Sequence, residues 1–294
     1  MRPKGSYGQR TRKRRLIIPV FIPYEGCPHR CVFCNQTDIT GQNSVPTRIE
    51  VRETITRYLL TWRGEGPREI AFYGGSFTGL KDTLQRDYLE AAYAFIQCGE
   101  IDALRVSTRP DYISHEKVKL LKEYGVGTVE LGVQSMDNVV LRMSGRGHSA
   151  GDTVRAVELL KTAGFTVGLQ VMPGLPGDTR ETILATAREI VSLRPDFVRV
   201  YPTLVIKNTP LERIYRRGDY RPWPLESMVE VCREVMRIFE KAAISIIRVG
   251  LQPTAELEES IVTGPYHPSF RQLLKDGAHI PRRSMPYTIA TAGG

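Results

Sequence analysis

Scarcest in this sequence of 294 residues is continuous apolar chain: no run reaches 18 apolar residues, so no membrane span is expected. The basic N-terminus is followed by no apolar segment with a cleavage site, which excludes a secretory signal as its reading. Cysteines are few, five in all, and an odd number in a long chain argues against a disulfide framework and for a reducing cytoplasm. No Gly/Ser-rich or Pro-rich linker is present, and no sequence repeat of fixed period recurs. One domain is therefore expected over residues 16–252, with a basic arm before it (1–15) and a small extension after it (253–294). Acids are missing from that arm altogether. Arg2, Lys4, Arg10, Arg12, Lys13, Arg14 and Arg15 carry +7 of the net +9, leaving +2 for the other 279 residues. A basic arm on a nearly neutral body reads either as a polyanion contact or as a solvated tail.

What is present is ordinary in amount, 41% hydrophobic and 25% charged, but regular in order. Strand-like apolar runs cover Leu16–Tyr24, Glu69–Tyr73, Leu104–Thr108, Thr128–Gln134, Thr166–Met172 and Phe197–Val205. Helical spacing fills the gaps over Arg48–Trp62, Lys81–Cys98, Ser114–Tyr124 (capped by Ser114), a short helix to Met143, Ala150–Ala163 and Thr179–Leu193. Six strand–helix units predict an α/β fold, a parallel sheet curved into a partial or full (β/α) barrel. Beyond residue 206 the order changes. Helices are expected at Pro210–Arg217 and Leu225–Ala243, one more strand at Ile244–Leu251, a short helix at Phe270–Lys275 and a loose tail over Pro281–Gly294.

The chemistry centres on Cys27-Pro28-His29-Arg30-Cys31-Val32-Phe33-Cys34, directly after the first strand. Thiolates are soft ligands suited to zinc or to iron–sulfur clusters. Three of them can hold three irons of a four-iron cluster and leave the fourth open to an external ligand. The rival readings are a zinc knuckle completed by His29, or reduced thiols with no ligand. Cys98 and Cys232 lie far away and alone. Other polar residues gather at the C-terminal ends of successive strands, where barrels of this kind build their sites: Gly74-Gly75-Ser76, Ser107-Thr108-Arg109, Gln134-Ser135 and Gln170. Any one of them could be a satisfied core group, but five consecutive strand ends behaving alike favour a shared polar ligand.

The cysteine spacing, with Phe33 before the last cysteine, resembles the signature of the radical S-adenosylmethionine (SAM) superfamily. Phe72-Tyr73-Gly74-Gly75-Ser76-Phe77-Thr78, Thr108-Arg109-Pro110-Asp111-Tyr112 and Glu130-Leu131-Gly132-Val133-Gln134-Ser135 extend the likeness. So do Arg146-Gly147-His148, Met172-Pro173-Gly174-Leu175-Pro176-Gly177 and Tyr201-Pro202-Thr203-Leu204-Val205-Ile206. The last of these is most similar to the radical SAM core of the Elongator catalytic subunit. Two others, Arg146-Gly147-His148 and the Gly174-Leu175-Pro176 turn, recur in oxygen-independent coproporphyrinogen oxidases.

The resemblance implies a radical SAM barrel with a 4Fe–4S cluster on Cys27, Cys31 and Cys34. It also implies SAM contacts from Gly74, Gly75, Ser76 and Thr108, ribose contacts from Gln134 and Gln170, and an Arg146 pairing with the SAM carboxylate. Ser76 departs from the glutamate common in the superfamily, and Gln170 from the aspartate common at its position. The Elongator subunit carries an acetyltransferase half after its barrel, for which these 294 residues are expected to leave no room. The implied partners are an electron donor of the flavodoxin or ferredoxin type and, through the arm, a tRNA. The alternatives are a radical enzyme for a small molecule such as a tetrapyrrole, and a zinc- or cluster-binding protein without turnover.

Overall fold

The structure is a computed structural model that describes residues 15–23, 25–27, 31–35 and 44–275. The basic arm up to residue 14, His29 and the tail over 281–294 lie outside the described residues. Strands and helices alternate: β1 (Leu16–Ile22), α1 (Arg48–Thr61), β2 (Arg68–Gly74), α2 (Asp82–Gln97), β3 (Ala103–Thr108) and α3 (His115–Glu123). The order continues with β4 (Val126–Gln134), α4 (Asn138–Met143), α5 (Ala150–Thr162), β5 (Thr166–Val171), α6 (Arg180–Leu193) and β6 (Phe197–Val200). Local capping fixes several helix starts, as expected at Ser114, whose hydroxyl accepts from the Lys117 amide, and at Ser149, which forms a reciprocal box with Asp152.

Then come β7 (Val205–Ile206), α7 (Pro210–Arg216), α8 (Leu225–Lys241), β8 (Ser245–Val249), α9 (Ala255–Ser260), β9 (Ile261–Thr263) and α10 (Phe270–Lys275). Seven strands form one parallel sheet in the order β1-β2-β3-β4-β5-β6-β8. The sheet is open, a half-barrel, because β1 and β8 are not partners. Pro19 sits within β1 without disrupting pairing because β1 is an edge strand.

Alternate strand positions divide the sheet into two chemistries. Ile70 and Phe72, Leu104 and Val106, Val129 and Leu131, and Val198 and Val200 join the helices in one core. The residues between them supply Tyr73, Arg105, Glu130 and Arg199 to the opposite, polar face.

One expected element is divided. The run Phe197–Val205 does not continue as a single strand: β6 stops at Val200, and Pro202 follows without an amide hydrogen for the ladder. Val205 and Ile206 instead pair antiparallel with Thr263 and Ile261. Helix α9 and strand β9 carry no strong local signal; β9 becomes a strand because β7 offers it a partner. The stretch after residue 252 is thereby tied to the barrel twice, by the β7–β9 pair and by α10. Phe270, Leu273 and Leu274 of α10 enter the main core, and Arg233 of α8 donates to the Leu273 carbonyl at 2.6 Å. No helix among the described residues is long and apolar enough to cross a membrane.

Candidate active site

At the C-terminal ends of β1 to β5 the sheet opens into a cavity of ≈ 230 Å³. Its walls include Cys27, Cys31 and Cys34, Gly74 and Gly75, Thr108, Gln134, Arg146 and Gln170, joined by Arg109 and Glu130. Chain segments up to 143 residues apart are thus brought to one space by the parallel topology alone.

The cysteine loop is held by interlocking backbones. The Gly75 amide donates to the Ile22 carbonyl at 2.7 Å and the Ser76 amide to the Glu25 carbonyl at 3.0 Å. A Cβ on Gly75 would lie 2.1 Å from the Glu25 carbonyl oxygen, and one on Gly26 would lie 2.1 Å from that of Ser76. These glycines therefore have a structural reason independent of any ligand: two loops cross with no room for a side chain. Gly75→Ala is expected to cost ~1–3 kcal/mol of stability, as overpacking does, measured by urea denaturation. Further along the loop, the Val32 amide donates to the Ser144 carbonyl at 3.0 Å, and the Val32 carbonyl accepts from the Leu211 amide of α7 at 2.7 Å.

Cys31 is buried, and its sulfur accepts from Arg146 Nη1 at 3.1 Å. Burial and then the neighbouring Cys31 raise the Cys27 thiol above its ordinary value, while Arg109, Arg146 and the Ser76 amide pull it down. Among the described residues, no three His, Cys, Asp or Glu side chains converge on a single metal-ion position. All three loop cysteines border one cavity.

Gln134 ends β4 at φ 69°, left-handed backbone that a non-glycine residue adopts at a cost of about 1–3 kcal/mol. A register shift between Gly132 and Gln134 accompanies it, and Gln134 Oε1 accepts from Gln170 Nε2 at 3.3 Å. The two glutamines expected to share a role are thus joined side by side. Ser76 is fully buried, and its hydroxyl lies 2.9 Å from that of Thr108 and accepts from the Arg109 amide at 3.2 Å. The Thr108 hydroxyl is itself 2.6 Å from that of Thr78. These three hydroxyls satisfy one another beneath the site.

The charges on the polar face were not evident from residue order. Glu130 accepts from Arg105 Nη1 (2.6 Å) and from Arg199 Nε (2.6 Å) and Nη2 (3.0 Å). Arg105 also reaches Glu69 at 2.8 Å, and Arg199 Nη1 reaches the Tyr201 hydroxyl at 3.1 Å. Burial and then Glu130 push Tyr73 up to about 12, so it stays a neutral phenol. Arg105, Glu130 and Arg199 are each the one charge of their strand, and the alternating order of acids and bases exists only across the sheet. His148, in the stretch Arg146-Gly147-His148, is buried, and burial followed by Arg146 lowers its pKa to about 4. It is a neutral imidazole at pH 7.

Comparison with known proteins now adds to this geometry. A tRNA uridine(34) acetyltransferase of Methanocaldococcus jannaschii is 30% identical over 266 residues, covering 76% of this chain and 49% of the relative. An uncharacterized protein of the same organism is 30% identical over 229 residues, covering 74% of this chain and 70% of that protein. A solved structure of Methanocaldococcus infernus Elp3 with an N-terminal deletion is similar with a TM-score of 0.72 at 26% identity, covering 88% of this chain and 61% of that one. The chain spans half or less of the length of the tRNA acetyltransferases it matches first. A model of the Radical_SAM C-terminal domain matches residues 195–277. The model of the radical SAM superfamily matches residues 21–190, more than half of the chain and all of the cavity's walls, and the chain belongs to that superfamily.

Proposed function

We propose that this radical SAM enzyme holds a 4Fe–4S cluster on Cys27, Cys31 and Cys34, binds SAM across the ends of β2 to β5, and acts on an RNA, tRNA foremost. Membership of the superfamily implies both cofactors. The observation that carries the residue assignments is the convergence of all three cysteines with Gln134, Gln170 and Arg146 on one cavity. When bound, the two cofactors supply an electron and a 5′-deoxyadenosyl radical that removes a hydrogen atom from substrate. The chain's own work is positioning and shielding. Gly74 and Gly75 bring backbone to the cavity wall, and Gln134 and Gln170 offer amides to the ribose hydroxyls. The buried floor around Glu130 keeps bulk water from the reacting centre. A donor of the flavodoxin or ferredoxin type supplies the electron, and a reducing cytoplasm suits such a cluster.

Two features support RNA as substrate. Relatives of this chain include tRNA uridine(34) acetyltransferases and Elongator complex protein 3. Helix α7 and its flanks also expose Lys207, Arg213, Arg216, Arg217 and Arg221; Arg216 and Arg217 pair with Glu212 and Asp219, and Glu258 and Glu259 share a groove with Lys207 and Arg216, so the basic character rests mainly on Arg213 and Arg221. This face lies one layer outside the cysteine loop, since Leu211 and Tyr220 pack with Val32 and Phe33. It adds a second basic surface to the arm Arg10–Arg15. Each cation that neutralises a phosphate releases counterions, so affinity should fall steeply with salt.

The test is whether tRNA, and not an unrelated RNA of equal length, accelerates formation of 5′-deoxyadenosine. Deleting residues 1–15 is expected to weaken tRNA binding, and Arg213→Gln with Arg221→Gln to flatten the salt slope by about 1 per residue lost. Absence of acceleration by any tRNA pool would overturn the RNA reading.

A further inference from the structure

The cysteine loop has two flanks, and they present different surfaces. On one flank helix α7 covers it: the Leu211 amide donates to the Val32 carbonyl at 2.7 Å, and Leu211 and Tyr220 are buried against Val32 and Phe33. On the other flank the loop is tied to the end of α4. There the Val32 amide donates to the Ser144 carbonyl at 3.0 Å, and Arg146 Nη1 to the Cys31 sulfur at 3.1 Å. Val140 and Leu141 of α4 are buried, while Val139 is 50% and Met143 52% exposed.

Val139 and Met143 lie four residues apart with Arg142 between them, so the three share one face of α4. Met143 also reaches the next loop, since a Cβ on Gly177 would lie 2.5 Å from its Sδ. Arg142 is exposed and has no ion-pair partner among the described residues. Asp137, the acid before the helix, is half-buried and accepts from the Val139 and Val140 amides at 2.7 and 3.0 Å. Arg180, beyond Gly177, is matched by Glu234 at 2.6 Å. The face is thus apolar with one unmatched positive charge. Exposed apolar residues are common on surfaces, and Ile49 and Leu60 of α1 or Ile247 of β8 need no partner to explain them. Position separates the α4 pair from these. Ser144, the residue after Met143, is hydrogen-bonded to the peptide between Cys31 and Val32.

We infer that the α4 face of Val139, Arg142 and Met143 is where the electron donor docks, a small protein that is acidic around its own redox group. This rests on the reading that Cys27, Cys31 and Cys34 hold a cluster. Electron transfer decays exponentially with distance, so the donor needs a surface close to the ligating loop, and α7 closes the other flank. From Met143, the route to a ligand sulfur is Ser144, one hydrogen bond and the Cys31–Val32 peptide. The donor is oxidised by one electron and the cluster reduced by one; no atom is transferred. Redox encounters use small interfaces, so a face of this size suffices. A flexible methionine adapts to its partner, and the lone cation steers a negative one.

The probe is a reduced flavodoxin of net negative charge, mixed with the anaerobically reconstituted full-length protein. Its affinity and its rate of cluster reduction are measured for the parent, for Arg142→Glu and for the double variant Val139→Ser with Met143→Ser. Reduction by dithionite is measured beside them. Arg142→Glu is expected to slow reduction by flavodoxin roughly tenfold at low salt and to flatten its dependence on ionic strength. The double variant is expected to weaken flavodoxin binding while keeping that salt dependence. Dithionite is a small ion that needs no docking face, so its rate should barely change in either variant, and iron content should stay at the parent's level. Equal flavodoxin rates and affinities in all three proteins would overturn the inference. So would a parallel loss with dithionite, which marks a damaged site, or a loss of tRNA binding with flavodoxin binding intact, which marks an RNA contact. A parent that holds no iron would overturn the cluster reading itself, and this inference with it.

Discussion

Cys27→Ala, Cys31→Ala and Cys34→Ala are each expected to abolish iron and sulfide binding, whereas Cys98→Ala and Cys232→Ala should retain about four irons and four sulfides per chain, the content of one such cluster. The three loop cysteines line one cavity, and the loop that bears them is tied to β2, to Ser144 and to α7. Removing one sulfur leaves that loop in place but breaks the ligand set. The two controls have no such role. Cys98 is exposed at the end of α2, which starts near the cavity side of β2 and runs back to the opposite end of the sheet. Cys232 is fully buried in α8, and burial alone pushes its thiol far up, so it behaves as a small apolar side chain. An iron and sulfide count with an absorption spectrum decides the matter. Stoichiometric zinc without a brown chromophore in the parent would sink the assignment.

Glu130→Ala should cost about 3–5 kcal/mol of stability, the usual result of leaving a buried charge unpaired. Glu130 is the centre of the polar face: its side chain is 7% exposed, Arg105 beside it is 3% exposed, and Arg199 is 13% exposed. Without it Arg199 keeps only the hydroxyls of Tyr201 at 3.1 Å and Tyr73 at 3.5 Å. Arg105 keeps Glu69, so the damage falls mainly on Arg199. Because a domain's whole stability is about 5–15 kcal/mol, the variant should unfold at clearly lower urea concentration. Glu69→Ala should cost less, since Arg105 then retains Glu130 and Glu69 has the wetter partner in Arg15. A loss under ~1 kcal/mol in Glu130→Ala would show that water screens these charges and that the floor is not dry.

Features whose cause is local were legible in the order of residues. Hydrophobic period and turn residues placed six strand–helix units, and the cap at Ser114 marked a helix start to the residue. The cysteine spacing singled out one loop, and the parallel alternation carried Gln134 and Gln170 to the same end of the sheet without any knowledge of contacts. The extra strand over Ile244–Leu251 was legible for the same reason and became β8, the seventh of the sheet.

Features that depend on partners distant in sequence emerged only in the folded chain. Val205 left the sixth strand because Pro202 breaks the ladder and because Thr263, 58 residues later, offers a partner. The hydroxyl of Ser76 meets that of Thr108 and the Arg109 amide, partners that no spacing reveals. Arg146 and Arg109 are equally basic in sequence; what separates them is that one meets a sulfur and a carbonyl while the other is paired with Asp111. Glu69, Arg105, Glu130 and Arg199 come from four different strands, and the last three would each read as an isolated charge inside an apolar run. Burial makes an unpaired charge untenable, so their sense lies in the balance across the sheet, and that balance exists only once the strands are side by side.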